Sequence, residues 1–296
     1  MRPALLICNP RSGGRDRQRD LPRLQRLLAG AGFETELRST EGPGDATRIA
    51  EETVAAGAIE AVFGLGGDGT LREIAIGLLG SRLPLGVLPG GTTNVLATCL
   101  GLPGDAVAAG EALAAGEPEV VDFDVGLCGS EPFLMMVSAG IDAVVLARAS
   151  QTAKKRWGRL AVGSQALSAL RDYDFPRYTL SSRGHREAGS FAIVSNVPFY
   201  GGAFRMTPMA SFQDGILDLG IFRGTGPRAT LGFALDVARG RHPRRDDVEL
   251  WQARMARLDG DGRARLQIDG DPVEIELPVD FSISPDRLRI LLPRER

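Results

Sequence analysis

The chain has 296 residues, 43% hydrophobic and 24% charged, with 38 glycines and 18 prolines. At about 150 residues per domain this reads as a two-domain globular protein rich in tight loops, neither fibrous nor low-complexity. Thirty-five basic against 37 acidic residues leave a net charge of −2, which argues against nucleic-acid binding driven by bulk charge.

Cys8, Cys99 and Cys128 are widely spaced and form no CxxC pair. They give no disulfide framework or zinc site and fit a reducing cytoplasm. The opening MRPALLICNP is too short for a signal peptide. The longest uncharged stretch, residues 83–104, carries three Pro and five Gly, so no spanning helix is expected there. Any membrane contact would be peripheral.

In chain order, residues 4–8 form an apolar run ending at Asn-Pro, and 15–29 place Leu21, Leu24, Leu27 and Leu28 at helical spacing. A strand is expected at 33–37, a helix at 44–56, and a buried strand at 58–65 that ends in Gly-Gly. Helix 70–79, strand 85–88 and helix 105–115 follow. Alternation of this kind predicts a parallel sheet covered on both faces.

After residue 120 short alternating strands dominate, at 121–128, 132–138, 177–182, 190–197, 215–222, 247–257, 263–268 and 272–277. Helical inserts are expected at 156–172 and 227–240, and strand 288–292 reads as a return to the first domain. The expected architecture is an α/β domain over 1–120, rejoined by 284–296, and a β-rich sandwich over 121–283, with a cleft between them.

Three glycine-bearing loops follow predicted parallel strands: Asn9-Pro10-Arg11-Ser12-Gly13-Gly14, Gly64-Leu65-Gly66-Gly67-Asp68-Gly69-Thr70 and Pro89-Gly90-Gly91-Thr92-Thr93-Asn94. Glycine admits a phosphate close to the backbone, and a helix N-terminus offers free N–H groups. Open α/β sheets gather such loops at one crevice. Gly64, Gly66 and Gly69 match G-x-G-x-x-G, but no acid lies between Glu73 and Asp105 to hold a ribose, so a dinucleotide fold is rejected. No Gly-Lys pair exists, which removes a Walker loop. Asp68 inside such a loop would repel phosphate; it fits if a divalent cation bridges it to the nucleotide, if it handles a proton, or if it caps the following helix.

These motifs resemble the bacterial diacylglycerol kinase and sphingosine kinase-like lipid kinases, whose nucleotide domain is similar to those of NAD kinases and phosphofructokinases. The resemblance rests on Asn-Pro-x-Ser-Gly at 9–13, Gly-Gly-Asp-Gly-Thr-Leu-x-Glu at 66–73, Pro-x-Gly-Thr-x-Asn at 89–94 and Asp124-Val125-Gly126. Ser138-Ala139-Gly140-Ile141-Asp142-Ala143, Asp214-Gly215-x-Leu217-Asp218 and Asp269-Gly270-Asp271 complete the ordered set.

The resemblance implies an ATP-dependent kinase of a lipid hydroxyl. It implies nucleotide contacts from Asn9, Pro10, Arg11, Ser12, Gly13, Thr40, Gly66, Gly67, Asp68, Gly69, Thr70, Leu71, Arg72, Glu73 and Thr92. It implies a structural Mg²⁺ held by Asp214 with the carbonyls of Ser211 and Ile216, and Asp271 as catalytic base, with Asp68 the other catalytic candidate. The family usually has Glu at position 271 and often has Asp at position 95, where this chain has Asp271 and Val95.

Residue chemistry agrees, since an alcohol needs a carboxylate base and phosphoryl transfer needs charge neutralisation. Residues 197–204 and 206–209 are apolar enough to line an acyl slot, or to be core. His185 and His242 sit in polar, Arg-bearing stretches and read as surface residues. Basic clusters at 154–159 and 241–245 could meet anionic headgroups at a membrane surface, or simply be solvated. A soluble-substrate kinase and a non-catalytic lipid- or nucleotide-binding regulator are the rival readings, and a homodimer stays open.

Overall fold

A computed structural model describes residues 1–14, 19–116, 118–152 and 169–294. The basic cluster at 154–159 and most of the helix expected over 156–172 lie outside the described residues. The chain divides into one unit of Met1–Val125 with Pro285–Arg296 and a second of Gly126–Ser284.

The first unit opens with β1 (Arg2–Cys8), α1 (Leu21–Gly30), β2 (Phe33–Ser39), α2 (Asp45–Ala56), β3 (Ala61–Gly66) and α3 (Asp68–Leu78). It continues with β4 (Leu85–Pro89), α4 (Val95–Cys99), α5 (Ala106–Ala114) and β5 (Glu119–Phe123). Strand β3 is buried along its whole length, as a central parallel strand must be. Leu21, Leu24 and Leu28 put one face of α1 into the core, beside Phe33 and Phe63, whose rings meet edge-on at 5.0 Å. Asp105 starts α5 by accepting from the Val107 and Ala108 amides.

The second unit carries β6 (Gly126–Cys128), β7 (Glu131–Phe133), β8 (Met136–Ala139), α6 (Ile141–Thr152), β9 (Tyr178–Ser182), β10 (His185–Gly189) and β11 (Phe191–Ser195). Then come β12 (Phe199–Tyr200), β13 (Phe204–Arg205), β14 (Leu217–Phe222), α7 (Gly226–Ala238), β15 (Val248–Ala253), β16 (Met255–Asp259), β17 (Arg263–Ile268), β18 (Asp271–Glu276) and β19 (Val279–Ile283). The chain ends on β20 (Leu288–Leu292), back in the first unit.

The first unit's sheet has the order β2-β1-β3-β4-β20-β5, parallel except where β5 runs antiparallel to β20. The second unit holds two six-stranded antiparallel sheets, β10-β9-β16-β19-β6-β7 and β15-β14-β11-β8-β17-β18. Phe133, Leu180, Leu258 and Phe281 from one meet Val137, Val194, Leu219 and Leu266 from the other in a shared core, the packing of a sandwich. The fold is therefore an α/β unit followed by a β-sandwich.

Three expected strands are each two. The run 121–128 gives β5 to the first unit and β6 to the second. The run 132–138 breaks between β7 and β8 because the Asp269 carboxylate takes the backbone N–H groups of Leu134, Met135 and Met136. The run 247–257 breaks at Arg254, sending β15 to one sheet and β16 to the other. Alternation has the same period on both sides of a sheet switch, so the pattern alone does not reveal it. Among the described residues no helix is long and apolar enough to cross a membrane.

Candidate active site

Three loops converge at the ends of β1, β3 and β4 in the first unit. Asn9 donates from Nδ2 to Thr70 Oγ1 at 2.9 Å, and its Oδ1 accepts from the Arg11 amide. Ser12 Oγ donates to the Gly90 carbonyl, and the Gly90 amide donates to Gly66 O at 2.6 Å. A Cβ on Gly91 would stand 2.8 Å from Gly67 Cα, closer than side chains tolerate, so the two glycines let these backbones touch. The result is a small-residue floor at the N-terminus of α3, chemistry suited to phosphate oxygens.

The expected nucleotide residues do not all face this floor. Asn9, Ser12, Gly66, Gly67 and Thr70 are joined there by these contacts. Leu71 is fully buried, so its side chain belongs to the core. Both Glu73 oxygens accept from the Gly44 and Ala46 amides and anchor the start of α2. Thr40 is buried at the end of β2, its amide bonded to the Cys8 carbonyl.

Asp68 corrects its own expectation. Its carboxylate does not cap its own helix, whose N-cap is Gly67. It accepts instead from Thr93 Oγ1 and from the Val95 and Leu96 amides, each at 3.1 Å. Asp68 thus holds the N-terminus of α4, where a negative charge is favourable. Its carboxylate ties the loop 89–94 to the loop 66–70.

In the second unit the two acids of the turn between β17 and β18 have different environments. Asp269 is buried in a left-handed conformation (φ 51°) with three backbone N–H groups on its carboxylate. Asp271 is exposed and opens β18 opposite Ile268. Asp269 is a clamp, and Asp271 is the exposed acid of the turn.

Gln267 ties this turn to a deeper polar cluster. Its Oε1 accepts from the Gly270 amide and its Nε2 donates to Ser138 Oγ at 2.9 Å. Ser138 donates on to Asp142 Oδ2, which also accepts from the Tyr200 hydroxyl at 2.7 Å. Burial pushes the Asp142 carboxyl up, opposed by these two hydrogen bonds. Asp142 Oδ1 is buried and accepts no hydrogen bond of good geometry among the described residues, though the Ala143 and Asp142 backbone amides also oppose the upward shift.

Asp142 and Tyr200 stand in the wall of an apolar cavity of about 340 Å³, with Phe191, Phe204, Met206, Phe222, Phe233 and Val237. The hydroxyls of Ser190 and Thr230 in the same wall are engaged by the Gly224 and Gly226 carbonyls. Of the expected slot segments, Tyr200, Phe204 and Met206 do line it, while Val197 is core and Met209 is 76% exposed. The sequence reading missed the share of α7 and β14; its signal was the aromatic set Phe191, Phe222 and Phe233.

His242, expected at the surface, is fully buried. Its Nε2 meets the Met206 carbonyl at 2.9 Å and burial lowers its pKa. The short turn of 242–244 folds it against Phe233, which the polarity of its neighbours in the chain hides.

At the third candidate, Asp214 Oδ1 accepts from the Ile216 amide at 3.0 Å. The nearby Asp218 is pushed up to about 6, chiefly by burial, with the Asp214 charge adding to it. Among the described residues no three His, Cys, Asp or Glu side chains group to hold a metal. A cation here would rest on the second Asp214 oxygen and backbone carbonyls. That oxygen-only set beside a crowded pair of acids fits a hard divalent ion.

The comparisons with known proteins bear on the fold and the family. Residues 3–125 match the diacylglycerol kinase catalytic domain, and residues 135–292 match the YegS C-terminal NAD kinase beta sandwich-like domain. A probable lipid kinase YegS-like protein of Pseudomonas aeruginosa is 33% identical, covering 98% of this chain and 94% of its own. A diacylglycerol kinase of Bacillus subtilis is 26% identical, covering 100% and 98%. A crystal structure of a diacylglycerol kinase from Bacillus anthracis strain Sterne superposes with a TM-score of 0.74 at 19% identity, over 98% of this chain and 97% of that one. The α/β unit with its glycine loops and the sandwich with its apolar cavity place this chain in the YegS and diacylglycerol kinase-like family of lipid kinases, to which it belongs.

Proposed function

We propose that the protein transfers the γ-phosphoryl group of ATP, in the presence of Mg²⁺, to a hydroxyl of diacylglycerol or a closely related lipid. The observation that carries the lipid acceptor is the cavity beside Asp142. Its wall is apolar, the Ser190 and Thr230 hydroxyls are engaged, and the buried Asp142 Oδ1 and Tyr173 hydroxyl make no hydrogen bond of good geometry among the described residues. A hydrocarbon chain satisfies the wall and a polar group near the chain's head satisfies the Asp142 oxygen. At about 340 Å³ the cavity lies at the small end of ligand pockets and suits one chain rather than two.

In this reading the loops at Asn9–Ser12, Gly66–Thr70 and Gly90 receive the nucleotide phosphates. Asp271 accepts the proton of the lipid hydroxyl as its oxygen attacks the γ-phosphorus; ADP leaves and a lipid phosphate forms. Mg²⁺, when bound, neutralises phosphate charge. A cation held at Asp214 would steady the start of β14.

The decisive experiment incubates the protein with radiolabelled ATP and a panel of lipids and soluble acceptors. Labelled lipid phosphate is expected from diacylglycerol or a near relative and none from NAD or sugars. Label in a soluble product alone would overturn the reading. Val237, 7% exposed in the cavity wall, offers a second check. Val237→Trp should fill the slot and raise KM for a long-chain substrate about tenfold, with little change for a short-chain analogue.

A further inference from the structure

Helix α7 carries an outward stripe that the catalytic reading does not use. Leu231 and Leu235, one turn apart, are 56% and 45% exposed. Helical spacing puts Arg228 and Arg239 on the same face, one at each end. On the flank of this stripe Ala234 and Ala238 line the apolar cavity while staying exposed, and so does Phe204, 44% exposed. The exposed apolar surface therefore runs into the cavity wall.

The unpaired charges of this stretch are mostly positive. Arg228, Arg239, Arg241 and Arg244 are exposed and make no ion pair among the described residues. Arg205 lies 5.1 Å from the Phe199 ring centroid. Of the acids between 226 and 247, Asp236 and Asp247 are bound by Arg245, which leaves Asp246.

We infer that the Arg228–Leu231–Leu235–Arg239 face of α7 docks on an anionic lipid bilayer and presents the apolar cavity to it. The inference rests on the lipid-kinase reading and adds the surface from which the lipid is drawn. Two leucines and a phenylalanine enter the acyl boundary, and unpaired guanidinium groups meet lipid phosphates, as in interfacial helices. A cavity sized for one chain then leaves the substrate's second chain in the bilayer.

The test is cosedimentation of the full chain with vesicles of phosphatidylcholine alone and of phosphatidylcholine mixed with phosphatidylglycerol. Binding to the anionic vesicles, falling as salt rises, is expected. Leu231→Gln with Leu235→Gln should weaken it about tenfold or more, with unchanged melting temperature and unchanged turnover of a detergent-dispersed lipid. Arg228→Gln with Arg239→Gln, which leaves the apolar pair intact, should weaken it about fivefold per charge and flatten the salt dependence.

Equal vesicle binding by both double variants, or equal binding to neutral and anionic vesicles, would overturn the inference. So would a leucine-pair effect on sedimentation-equilibrium mass without an effect on vesicles, which would make the face a contact between two copies. Turnover of dispersed lipid without vesicle binding removes the docking face alone. Vesicle binding without turnover of any lipid removes the kinase reading instead.

Discussion

Asp271→Asn is expected to lower kcat about 10²–10⁴-fold, the usual worth of a general base, with ATP affinity and melting temperature unchanged. The side chain is exposed at the first residue of β18, so the amide costs the fold little. Pro272 holds residue 271 extended, and the Gln267 contact to the Gly270 amide fixes the turn beneath it. Asp271→Glu should retain or improve activity, since the family's usual residue reaches one methylene further. The neighbouring acid is the control. Asp269→Ala strips the acceptor from three buried amides, at about 1–3 kcal/mol for each unsatisfied group. Against a total stability of about 5–15 kcal/mol that variant should melt far lower or fail to fold. If Asp271→Asn also melts low, or if it keeps its kcat, Asp271 is not the base.

The α/β unit was legible because its signals are local. A buried strand, a glycine loop and an amphipathic helix recur, and β3 with α3 lies within a residue or two of its expected range at the glycine turn. The sandwich was legible as a class and not in its strand count, because β5 and β6, β7 and β8, and β15 and β16 each switch partners inside one alternating run, and because β10, β12, β13 and β19 lie where no strand was expected. What breaks the second run is the carboxylate of Asp269, more than 130 residues away in the chain. Helix α4 was missed because five residues after a Gly-Gly-Thr-Thr turn give too short a period to read.

The gathering of the glycine loops was legible: loops after parallel strands were expected at one crevice, and Gly67 and Gly91 let two of them meet. Carboxylates are harder, because the same group can be a base, a metal ligand or a backbone clamp. Asp68, Asp269 and Glu73 serve backbone amides, and only packing separates them from Asp271. Asp142 shows the same limit from the other side. Its partners Ser138, Tyr200 and, through Ser138, Gln267 come from β8, β12 and β17, and nothing in their spacing along the chain joins them.

Asp68→Ala should lower turnover about 10²-fold, and the loss should show in KM for ATP as well as in kcat. The carboxylate is the tie between the glycine loop at 66–70 and the N-terminus of α4. Its removal leaves two helix amides without their acceptor and takes a negative charge from the helix end, about 0.5–2 kcal/mol of local stability. That is too little to unfold the unit. It is enough to free the 89–94 loop, and displacement of a phosphate-positioning backbone by about 1 Å costs on the order of 10²-fold in rate. Asp68→Asn keeps one acceptor oxygen and loses the charge, so it should fall between Ala and the native chain. Thr93→Val removes the third, neutral contact and should cost less than tenfold. Steady-state kinetics with ATP as the varied substrate, beside thermal melts, separate these cases. A base at Asp68 would lower kcat and leave KM for ATP alone, and Asp68→Asn would then be as inactive as Asp68→Ala. Turnover at the native rate in Asp68→Ala would mean that the loop at 66–70 does not hold the phosphates.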